Sequence, residues 1–290
     1  MNTSLYEKAK KIRFNALLLS RLMKSGRFYR EFRMRGLSFD SIRDYIPGDD
    51  IRFIDWNAAA RFGKPYVKEF VEDSNVPIML MVDVSASVSA SRSVFEKIQE
   101  CALLMLYAGM HQNIPVGCVL FGLKESSEAP HGFVFIKPEA GNAHYHRIET
   151  MLLSYEPSLS GESRINEALA FTNKNLHPGA LIFVMSDFFI AGYKELFAML
   201  KTLHSVVAVR FLNNSTQLPR CALHCRDAES RNSYLLLPGR SYVQRAVRER
   251  TLQIESELYA VCTMASLLEI SPEQDVFILL LNFLKRRIPV

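Results

Sequence analysis

The sequence has no hydrophobic run long enough to cross a membrane. Near the C-terminus an apolar stretch extends only from Val276 to Leu284, whereas a membrane helix needs roughly 20 residues. At the N-terminus the apolar stretch FNALLL, which follows a basic segment, is too short for the hydrophobic part of a signal peptide. We therefore expect a cytoplasmic protein without a transmembrane segment.

Cysteine is also sparse. The chain has five cysteines, an odd number without the compact spacing of a disulfide framework, and this favours a reducing compartment. Cys221, His224 and Cys225 are close enough in the sequence to raise the question of zinc. A structural zinc site needs a second ligand pair, and none stands at the usual spacing. Zinc binding is therefore not predicted.

The motifs of two large enzyme classes are missing. The sequence contains neither a glycine-rich phosphate loop nor a GxSxG nucleophile elbow. No histidine that could act as a base lies close to Ser85 and Ser87 in the sequence, although residues distant in sequence can form a catalytic triad in the folded protein. The sequence gives no support to a nucleotide hydrolase or a serine hydrolase.

Positive charge is concentrated in the first quarter of the chain. The net charge is +5, and residues 1–75 hold fifteen Lys and Arg against ten Asp and Glu, while the remainder is balanced at twenty against twenty. Within Arg27 to Arg35, aromatic residues alternate with arginines, a pattern that could bind nucleic acid or a membrane surface. A solvated surface explains the same charges, and no nucleic-acid fold is evident, so nucleic acid is not the expected partner.

Strands and helices alternate regularly from residue 76 onward. Val76 to Val84 is a continuous apolar run with a carboxylate near its end, and Ala180 to Ser186 is a second apolar run followed by an aspartate. Such runs are typical of strands buried inside a parallel sheet. Amphipathic helices are predicted over Ser93 to Gln112 and Ile165 to Asn175. This order predicts an α/β fold with a mostly parallel sheet and helices on both faces.

The pattern divides the chain into three parts. We predict a basic N-terminal extension over residues 1–75 that packs on the main domain, the α/β domain over residues 76–215, and C-terminal strands and helices over residues 216–290 that complete the domain. A helix is expected near residues 5–24, and a long helix over Tyr242 to Ser266. Ile51 to Trp56 and Tyr66 to Val71 are candidate strands.

An oxygen-rich motif follows the first buried strand. Asp83, Ser85 and Ser87 place one carboxylate and two hydroxyls at alternate positions. Hard cations such as Mg²⁺ and Mn²⁺ prefer oxygen ligands in octahedral geometry. The motif alone is weak evidence, because a strand end followed by serines that cap a helix would have the same sequence.

Two later segments supply matching groups. Ser163 precedes a predicted helix and offers a third hydroxyl, and Asp187 follows the second buried strand and offers a second carboxylate. In open α/β sheets ligands bind beyond the carboxyl ends of the strands, where these loops meet. The sequence therefore predicts a divalent-metal site at that edge of the sheet.

The order of these residues resembles the metal-ion-dependent adhesion site of von Willebrand factor A (vWA) domains. Asp83, Ser85 and Ser87 match its DxSxS motif, Ser163 stands where threonine is usual, and Asp187 matches the aspartate after a core strand. The resemblance implies that the hydroxyls contact the ion directly, while the aspartates act largely through water. Arg164 follows where bacterial relatives often have an acid, and it could help to bind an anionic partner.

The segment before the first buried strand narrows the family. RDYIPGDDIRFIDWNAAARFGKPYVKEFVED resembles the bacterial domain-of-unknown-function family fifty-eight, a vWA-like family. The matching positions are Arg43, Tyr45, Pro47, Gly48, Asp49, Asp50, Arg52, Ile54, Asp55, Trp56, Ala60, Arg61, Val67, Lys68 and Phe70. Members are often encoded beside MoxR-type AAA+ ATPases and are thought to act with them.

These matching residues are interpreted as structural. Asp49, Asp50 and Asp55 could form a carboxylate cluster for acid–base or metal-assisted chemistry. The preferred interpretation is a lattice of ion pairs with neighbouring arginines that holds the segment against the main domain. Trp56, the only tryptophan, is expected to anchor it in the core.

Together these features predict a non-enzymatic adaptor that binds a protein partner through Mg²⁺ or Mn²⁺. The resemblance implies that the partner is a MoxR-type AAA+ ATPase or its client. Two alternatives remain open at this stage. One is a metal-dependent hydrolase that uses Asp83 and Asp187, and the other is a nucleic-acid or membrane-surface binder that uses the basic N-terminus.

Overall fold

A computed structural model gives the conformation of most of the chain. It describes residues 3–23, 38–46, 54–71, 76–127, 129–157, 162–212, 223–226, 233–236 and 241–287. The helices are α1 (Thr3–Met23), α2 (Trp56–Phe62), α3 (Ala86–Ser89), α4 (Arg92–His111), α5 (Asn142–Ser154), α6 (Ile165–Asn175), α7 (Lys194–Leu203), α8 (Ser241–Val261) and α9 (Val276–Arg287). The strands are β1 (Ser38–Asp44), β2 (Tyr66–Val71), β3 (Ile78–Asp83), β4 (Val116–Phe121), β5 (Phe133–Glu139), β6 (Leu181–Ser186), β7 (Ser205–Phe211), β8 (Leu223–Arg226), β9 (Ser233–Leu236) and β10 (Leu267–Ile270).

A six-stranded sheet with the order β10-β7-β6-β3-β4-β5 forms the centre of the molecule. All neighbours pair in parallel except β5, which runs antiparallel to β4 at one edge. Strands β3, β4 and β6 are buried along their whole length, and for β3 and β6 the apolar runs predicted this. The α/β fold class is confirmed, and the arrangement is consistent with a vWA-type fold.

Alternate residues of β3 supply the cores on the two faces of the sheet. Ile78, Leu80 and Val82 belong to one apolar cluster, which α1, α4, α5 and α9 also line. Met79 and Met81 belong to the other, which α6, α7 and α8 also line. Successive side chains of a strand point to opposite faces, so helices must cover both sides and β3 lies in the middle of the protein.

Helix α1 packs on this body from the N-terminal side. Its residues Ala16, Leu19 and Met23 are fully buried. One turn earlier, Arg13 donates to the Oε1 atom of Glu149 at 2.8 Å, and the hydroxyl of Tyr107 donates to the same carboxylate. A basic helix is thus fixed through apolar contacts and through a shared, largely buried acid.

The predicted helix over Tyr242 to Ser266 is wrong at its end. The helix ends at Val261, and the chain turns so that Leu267 to Ile270 pairs with β7 as an edge strand. The Ser266 hydroxyl accepts from the Thr263 amide at 2.9 Å and stabilises this turn. A four-residue strand without strict alternation gives little periodic signal.

A buried arginine joins this C-terminal region to the sheet. Arg210 on β7 is only 7% exposed. Its guanidinium contacts Glu255 of α8 at 3.2 Å and Glu269 of β10 at 3.1 Å. Because a buried charge is costly unless it is paired, these contacts hold α8 and β10 to the carboxyl end of β7.

A separate two-stranded sheet lies in the N-terminal part. Strands β1 and β2 pair antiparallel, which confirms the predicted strand over Tyr66 to Val71 and adds one that was not predicted. Of the strand predicted over Ile51 to Trp56, residues 51–53 lie outside the described residues. Ile54 forms an isolated bridge with Val67, and Trp56 begins a helix.

The expectation that Trp56 anchors the core is wrong. The residue is 69% exposed at the first position of α2. The side chain of α2 that is buried is the small Ala58. Tryptophan is usually buried because of its large apolar area, and the sequence could not show that a small residue would occupy the inward face.

None of the helices in the described part of the chain combines the length and apolar composition that a membrane span requires.

Candidate functional site

The predicted site residues gather at the carboxyl edge of the central strands. Asp83 is the last residue of β3 and is fully buried. Asp187 directly follows β6, the parallel neighbour of β3. Parallel pairing in this register brings both strand ends to the same edge, so two carboxylates that are distant in sequence lie close together.

The Asp83 carboxylate is held by donors from three segments. Its Oδ1 atom accepts the backbone N–H of Ser85 at 2.9 Å. Its Oδ2 atom accepts the hydroxyl of Ser186 at 2.5 Å and that of Ser163 at 3.4 Å. The carboxylate therefore has a fixed orientation, and the hydroxyl of Ser163 lies beside it.

Ser85 and Ser87 link the two aspartates. Their hydroxyl oxygens are 3.1 Å apart, and Ser87 hydrogen-bonds to the side chain of Asp187. Asp187 is oriented in turn by the Phe189 amide, which donates to its Oδ1 atom at 3.0 Å. Ser85 is fully buried, whereas Ser87, Ser163 and Asp187 keep part of their surface accessible.

The serines of this loop do not act as side-chain caps. Ser85 and Ser91 occupy the N-cap positions of α3 and α4, and neither side chain makes a capping hydrogen bond. The hydroxyl of Ser89 donates instead to the carbonyl of Val84 at 3.1 Å. The competing interpretation of the motif as a serine-rich helix start depends on side-chain caps, and Ser85 and Ser91 make none.

A glycine on the neighbouring strand end leaves room for the loop. Gly122 has φ +83°, and a Cβ atom at this position would lie 2.6 Å from the Ser85 nitrogen and 2.7 Å from its Cα. Both contacts are with backbone, which cannot move aside as a flexible side chain does. The close approach of β4 to the loop after β3 consequently requires glycine.

Both carboxylates have a raised pKa. Burial and the negative charge of Asp187 raise the pKa of Asp83, and the hydrogen bonds from Ser186 and Ser85 only partly offset this. Burial likewise raises the pKa of Asp187, while hydrogen bonds and the charge of Arg210 oppose the shift. Two acids in a desolvated position favour a nearby positive charge.

Arg164 lies at the rim and is already paired. Its Nη2 atom is 2.7 Å from the Oε1 atom of Glu125. The side chain also passes over Gly132, where an added Cβ would lie 2.9 Å from the Arg164 Cδ atom. Arg164 is 29% exposed and Glu125 is 56% exposed at the side chain, so solvent reaches this ion pair.

Reasoning from the sequence missed several contributors. Ser186 donates to Asp83, Tyr155 donates to the Val84 carbonyl at 3.3 Å, Gly122 makes space, and Arg210 acts on Asp187 through its charge. Ser186 and Arg210 could have been identified from the sequence, since each is a polar residue near the end of an otherwise apolar strand. Tyr155 and Gly122 could not, because their roles depend on the packing of other segments.

The N-terminal motif residues are only partly described. Pro47, Gly48, Asp49, Asp50 and Arg52 lie outside the described residues, so the predicted ion-pair lattice stays a prediction. Asp55 is the N-cap of α2, and its Oδ1 atom accepts the amides of Asn57 at 3.0 Å and Ala58 at 3.1 Å. The Arg43 Nη1 atom donates to the Asp44 carbonyl, the Tyr45 amide donates to the Pro65 carbonyl, and Arg61 is exposed.

The donor chemistry of the cluster fits a hard divalent cation. The five predicted ligands offer two carboxylates and three hydroxyls, which are oxygens without exception, and oxygen is what Mg²⁺ and Mn²⁺ prefer. Within the described ranges no three His, Cys, Asp or Glu side chains come together to hold a metal. The cluster has only two acids, so ion binding here would depend on the serine hydroxyls.

Similarity to solved structures is low. Proximal thread matrix protein 1 from the mussel byssus is 14% identical, with 74% of this chain and 47% of that chain covered and a TM-score of 0.44. The pilus adhesin SpaC from Lactobacillus rhamnosus GG is also 14% identical, with 74% and 30% covered and a TM-score of 0.41. Similarity at this level carries no functional inference.

Curated relatives match over a short segment. An uncharacterized protein of Mycobacterium bovis and one of Mycobacterium tuberculosis are each 40% identical over 55 residues, which is 19% of this chain and 17% of the relative. The chain thus spans less than a fifth of the length of these relatives. The family model described as "Protein of unknown function DUF58" matches residues 41–253, which is most of the chain, and the protein therefore belongs to the DUF58 family.

Proposed function

We propose that this protein is a non-enzymatic adaptor that binds a protein partner through a divalent cation in a vWA-type adhesion site. One observation carries the proposal. Asp83, Ser85, Ser87, Ser163 and Asp187 converge from three separate loops into one linked set of oxygens. A set of two carboxylates and three hydroxyls suits the binding of a divalent cation better than it suits a purely structural role.

The ligand types favour weak but partner-dependent binding. Three of the five groups are neutral hydroxyls, and the resemblance to vWA domains implies that these would hold Mg²⁺ or Mn²⁺ directly. A bound ion with neutral ligands stays electrophilic, so it favours a further anionic oxygen. A Glu or Asp side chain of a partner protein is the ligand that fits this requirement.

The accessible rim agrees with this role. Ser87, Ser163 and Asp187 are partly exposed, and Arg164, the next residue after Ser163, has a side chain that is 29% exposed. An incoming carboxylate could meet Arg164 in competition with Glu125. We propose the MoxR-type AAA+ ATPase, or a client of that machine, as the partner, because the family resemblance points to it.

The test compares partner affinity in the presence of Mg²⁺, of Ca²⁺ and of a chelator. We expect tight binding in Mg²⁺ and its loss in chelator, with the protein still folded by circular dichroism. Asp83→Ala should behave in Mg²⁺ as the wild type behaves in chelator. Equal affinity under all three conditions would mean that the partner docks elsewhere.

Two rim variants separate the metal from the partner contact. Arg164→Met should weaken the partner complex while Mn²⁺ affinity stays the same, because the guanidinium faces Glu125 and not the aspartates. Glu125→Gln is its matched counterpart and should strengthen the complex by releasing Arg164. Turnover of phosphate or peptide ester substrates by the Mg²⁺-loaded wild type would count against a non-enzymatic role.

A further inference from the structure

The loop that follows β6 carries two consecutive phenylalanines in opposite environments. Phe188 is fully buried, and its ring contacts those of Tyr193 and Phe197, with centroids 5.6 Å and 6.5 Å apart. Phe189 is 56% exposed. Both residues directly follow Asp187, so the exposed ring belongs to the same loop as a predicted ligand of the candidate cation site.

The backbone of this loop is strained at Phe188. The residue has φ +53°, a left-handed conformation that is uncommon for a residue with a bulky side chain. Its amide donates to the Ser186 hydroxyl at 3.0 Å, and the Phe189 amide donates to the Asp187 Oδ1 atom at 3.0 Å. Such strain persists where surrounding contacts enforce it, and it is concentrated at functional sites. The conformation of the loop therefore points to a role beyond supplying one carboxylate.

The far end of the loop is also fixed. The Gly192 amide donates to the Oε2 atom of Glu257 on α8 at 2.9 Å, and Tyr193 is fully buried. Phe189 is thus exposed between two anchored positions, Phe188 and Gly192. An aromatic side chain on a fixed backbone loses little conformational freedom when a partner covers it, and this favours its use in recognition.

Phe189 lies within reach of a ligand at the cation site. Its amide nitrogen is 3.0 Å from the Asp187 Oδ1 atom, so its Cα atom lies no more than about 4.5 Å from that oxygen. The ring is attached at this Cα atom and stays near the carboxylate in every rotamer. One residue of an extended peptide spans about 3.3–3.6 Å, so a residue one or two positions from a coordinating acid can reach the ring.

The chemistry of the loop indicates which side chain fits there. Phe189, Ile190 and Ala191 follow one another without a charged or hydrogen-bonding side chain, and Ile190 and Ala191 keep part of their surface accessible. An apolar side chain gains free energy when it leaves water against such a surface, whereas a polar one loses hydration without gaining a hydrogen bond. The loop therefore favours a large apolar residue next to the acid.

We propose that Phe189 determines which acidic segments the cation site accepts, namely those with a large apolar side chain one or two positions from the coordinating Glu or Asp. That side chain packs on the ring of Phe189 and on Ile190 while the carboxylate coordinates the ion. The inference rests on the proposed function, because it needs a bound cation and an acidic ligand. Phe189 adds affinity for the partner and none for the metal.

The probes are synthetic peptides with a single glutamate in a glycine–serine host and a leucine one or two positions before or after it. The controls have serine for leucine, or glutamine for glutamate. Peptide affinity is measured by NMR titration in Mg²⁺ and in chelator, because this method detects weak binding, and Mn²⁺ affinity is measured by calorimetry. Phe189→Ala removes the ring, and Met199→Ala, at a 53% exposed residue of α7, is the matched control.

In Mg²⁺ at least one leucine peptide should bind roughly tenfold more tightly than its serine counterpart. Chelator, or glutamine for glutamate, should abolish binding. Phe189→Ala should remove the preference for leucine. Because the hydrogen bond to Asp187 comes from the main chain of Phe189, this variant should still bind Mn²⁺ and the serine peptide as the wild type does. Phe189→Leu should keep most of the preference, and Met199→Ala should keep all of it.

Three results would overturn the inference while leaving the cation site intact. The first is Mg²⁺-dependent binding of the glutamate peptides without a preference for leucine at any position. The second is a preference for leucine that Phe189→Ala leaves unchanged. The third is Mn²⁺ binding by a protein that binds none of the peptides. A wild type that does not bind Mn²⁺ would contradict the proposed function itself, and this inference with it.

Discussion

Gly122→Ala tests whether the close packing around Ser85 is essential for the candidate metal site. The substitution adds a single methyl group at the end of β4. That Cβ atom would lie 2.6 Å, 2.7 Å and 2.8 Å from the nitrogen, Cα and Cβ atoms of Ser85. Because two of these three atoms are backbone, relief requires the loop that carries Ser85 to shift away from β4.

Gly122→Ala should lower the free energy of unfolding for two reasons. An alanine in the left-handed region costs about 1–2 kcal/mol relative to glycine, and an extra carbon in a well-packed region costs about 1–3 kcal/mol. Gly122→Ala should therefore lower the free energy of unfolding by about 2–5 kcal/mol. Gly179→Ala is the matched control, because Gly179 has φ +95° and nothing lies within 4 Å of its added Cβ.

The assay is urea unfolding of both variants in chelator, followed by calorimetric titration with Mn²⁺. Gly179→Ala should show only the backbone cost and normal Mn²⁺ affinity. Gly122→Ala should be less stable than the control by about 1–3 kcal/mol and should bind Mn²⁺ more weakly. Equal losses of stability, together with unchanged Mn²⁺ binding, would refute the reasoning about this contact.

Three further predictions concern other parts of the molecule. Burial alone would raise the pKa of Glu149, but hydrogen bonds from Tyr107 and Arg13 outweigh burial and lower the pKa. Glu149→Gln should therefore reduce the free energy of unfolding by about 1–3 kcal/mol at neutral pH. In urea unfolding, the difference in stability between the variant and the wild type should shrink as the pH falls through the lowered pKa. Arg210→Met should cost on the order of 1–3 kcal/mol by the same measurement, since its two glutamate partners are 32% and 35% exposed at the side chain and partly screened; an unchanged midpoint would contradict this. Trp56→Ala should change the free energy of unfolding by no more than about 0.5 kcal/mol, and a large loss would contradict its exposure.

The central sheet was predictable because its strands have a strong signal. Val76 to Val82 and Ala180 to Met185 are apolar without interruption, a pattern that is typical of short strands buried on both faces. The helices between them have clear periodicity. Strand β10 was missed because four residues at a sheet edge give almost no periodic signal, and pairing with β7 determines their conformation.

The candidate site was predictable to the extent that its residues follow strand ends. Asp83 and Asp187 each end an apolar run, and the topology of a parallel sheet brings such positions together. The hydrogen bond from Ser186 to Asp83 and the space left by Gly122 depend on distances between segments, which a sequence does not contain. The ion pair between Arg164 and Glu125 also depends on the distance between separate segments, so it could not be predicted from the sequence.

Trp56 shows where reasoning from composition fails. A lone tryptophan in an apolar context predicts burial, because its large ring is favourable to bury. The residue that α2 buries is instead the small Ala58. The three-part domain division and the roles assigned to Pro47 through Arg52 stay predictions.

Titration of the protein with Mn²⁺ in a calorimeter tests the central claim most directly. We predict one bound ion per chain for the wild type and the loss of this ion in the double variant Ser85→Ala with Ser87→Ala. Ser91→Ala with Ser93→Ala is the matched control, because those hydroxyls are also two residues and 3.1 Å apart yet lie outside the cluster. The control should bind Mn²⁺ as the wild type does, and undiminished binding by the Ser85 and Ser87 double variant would contradict the metal site.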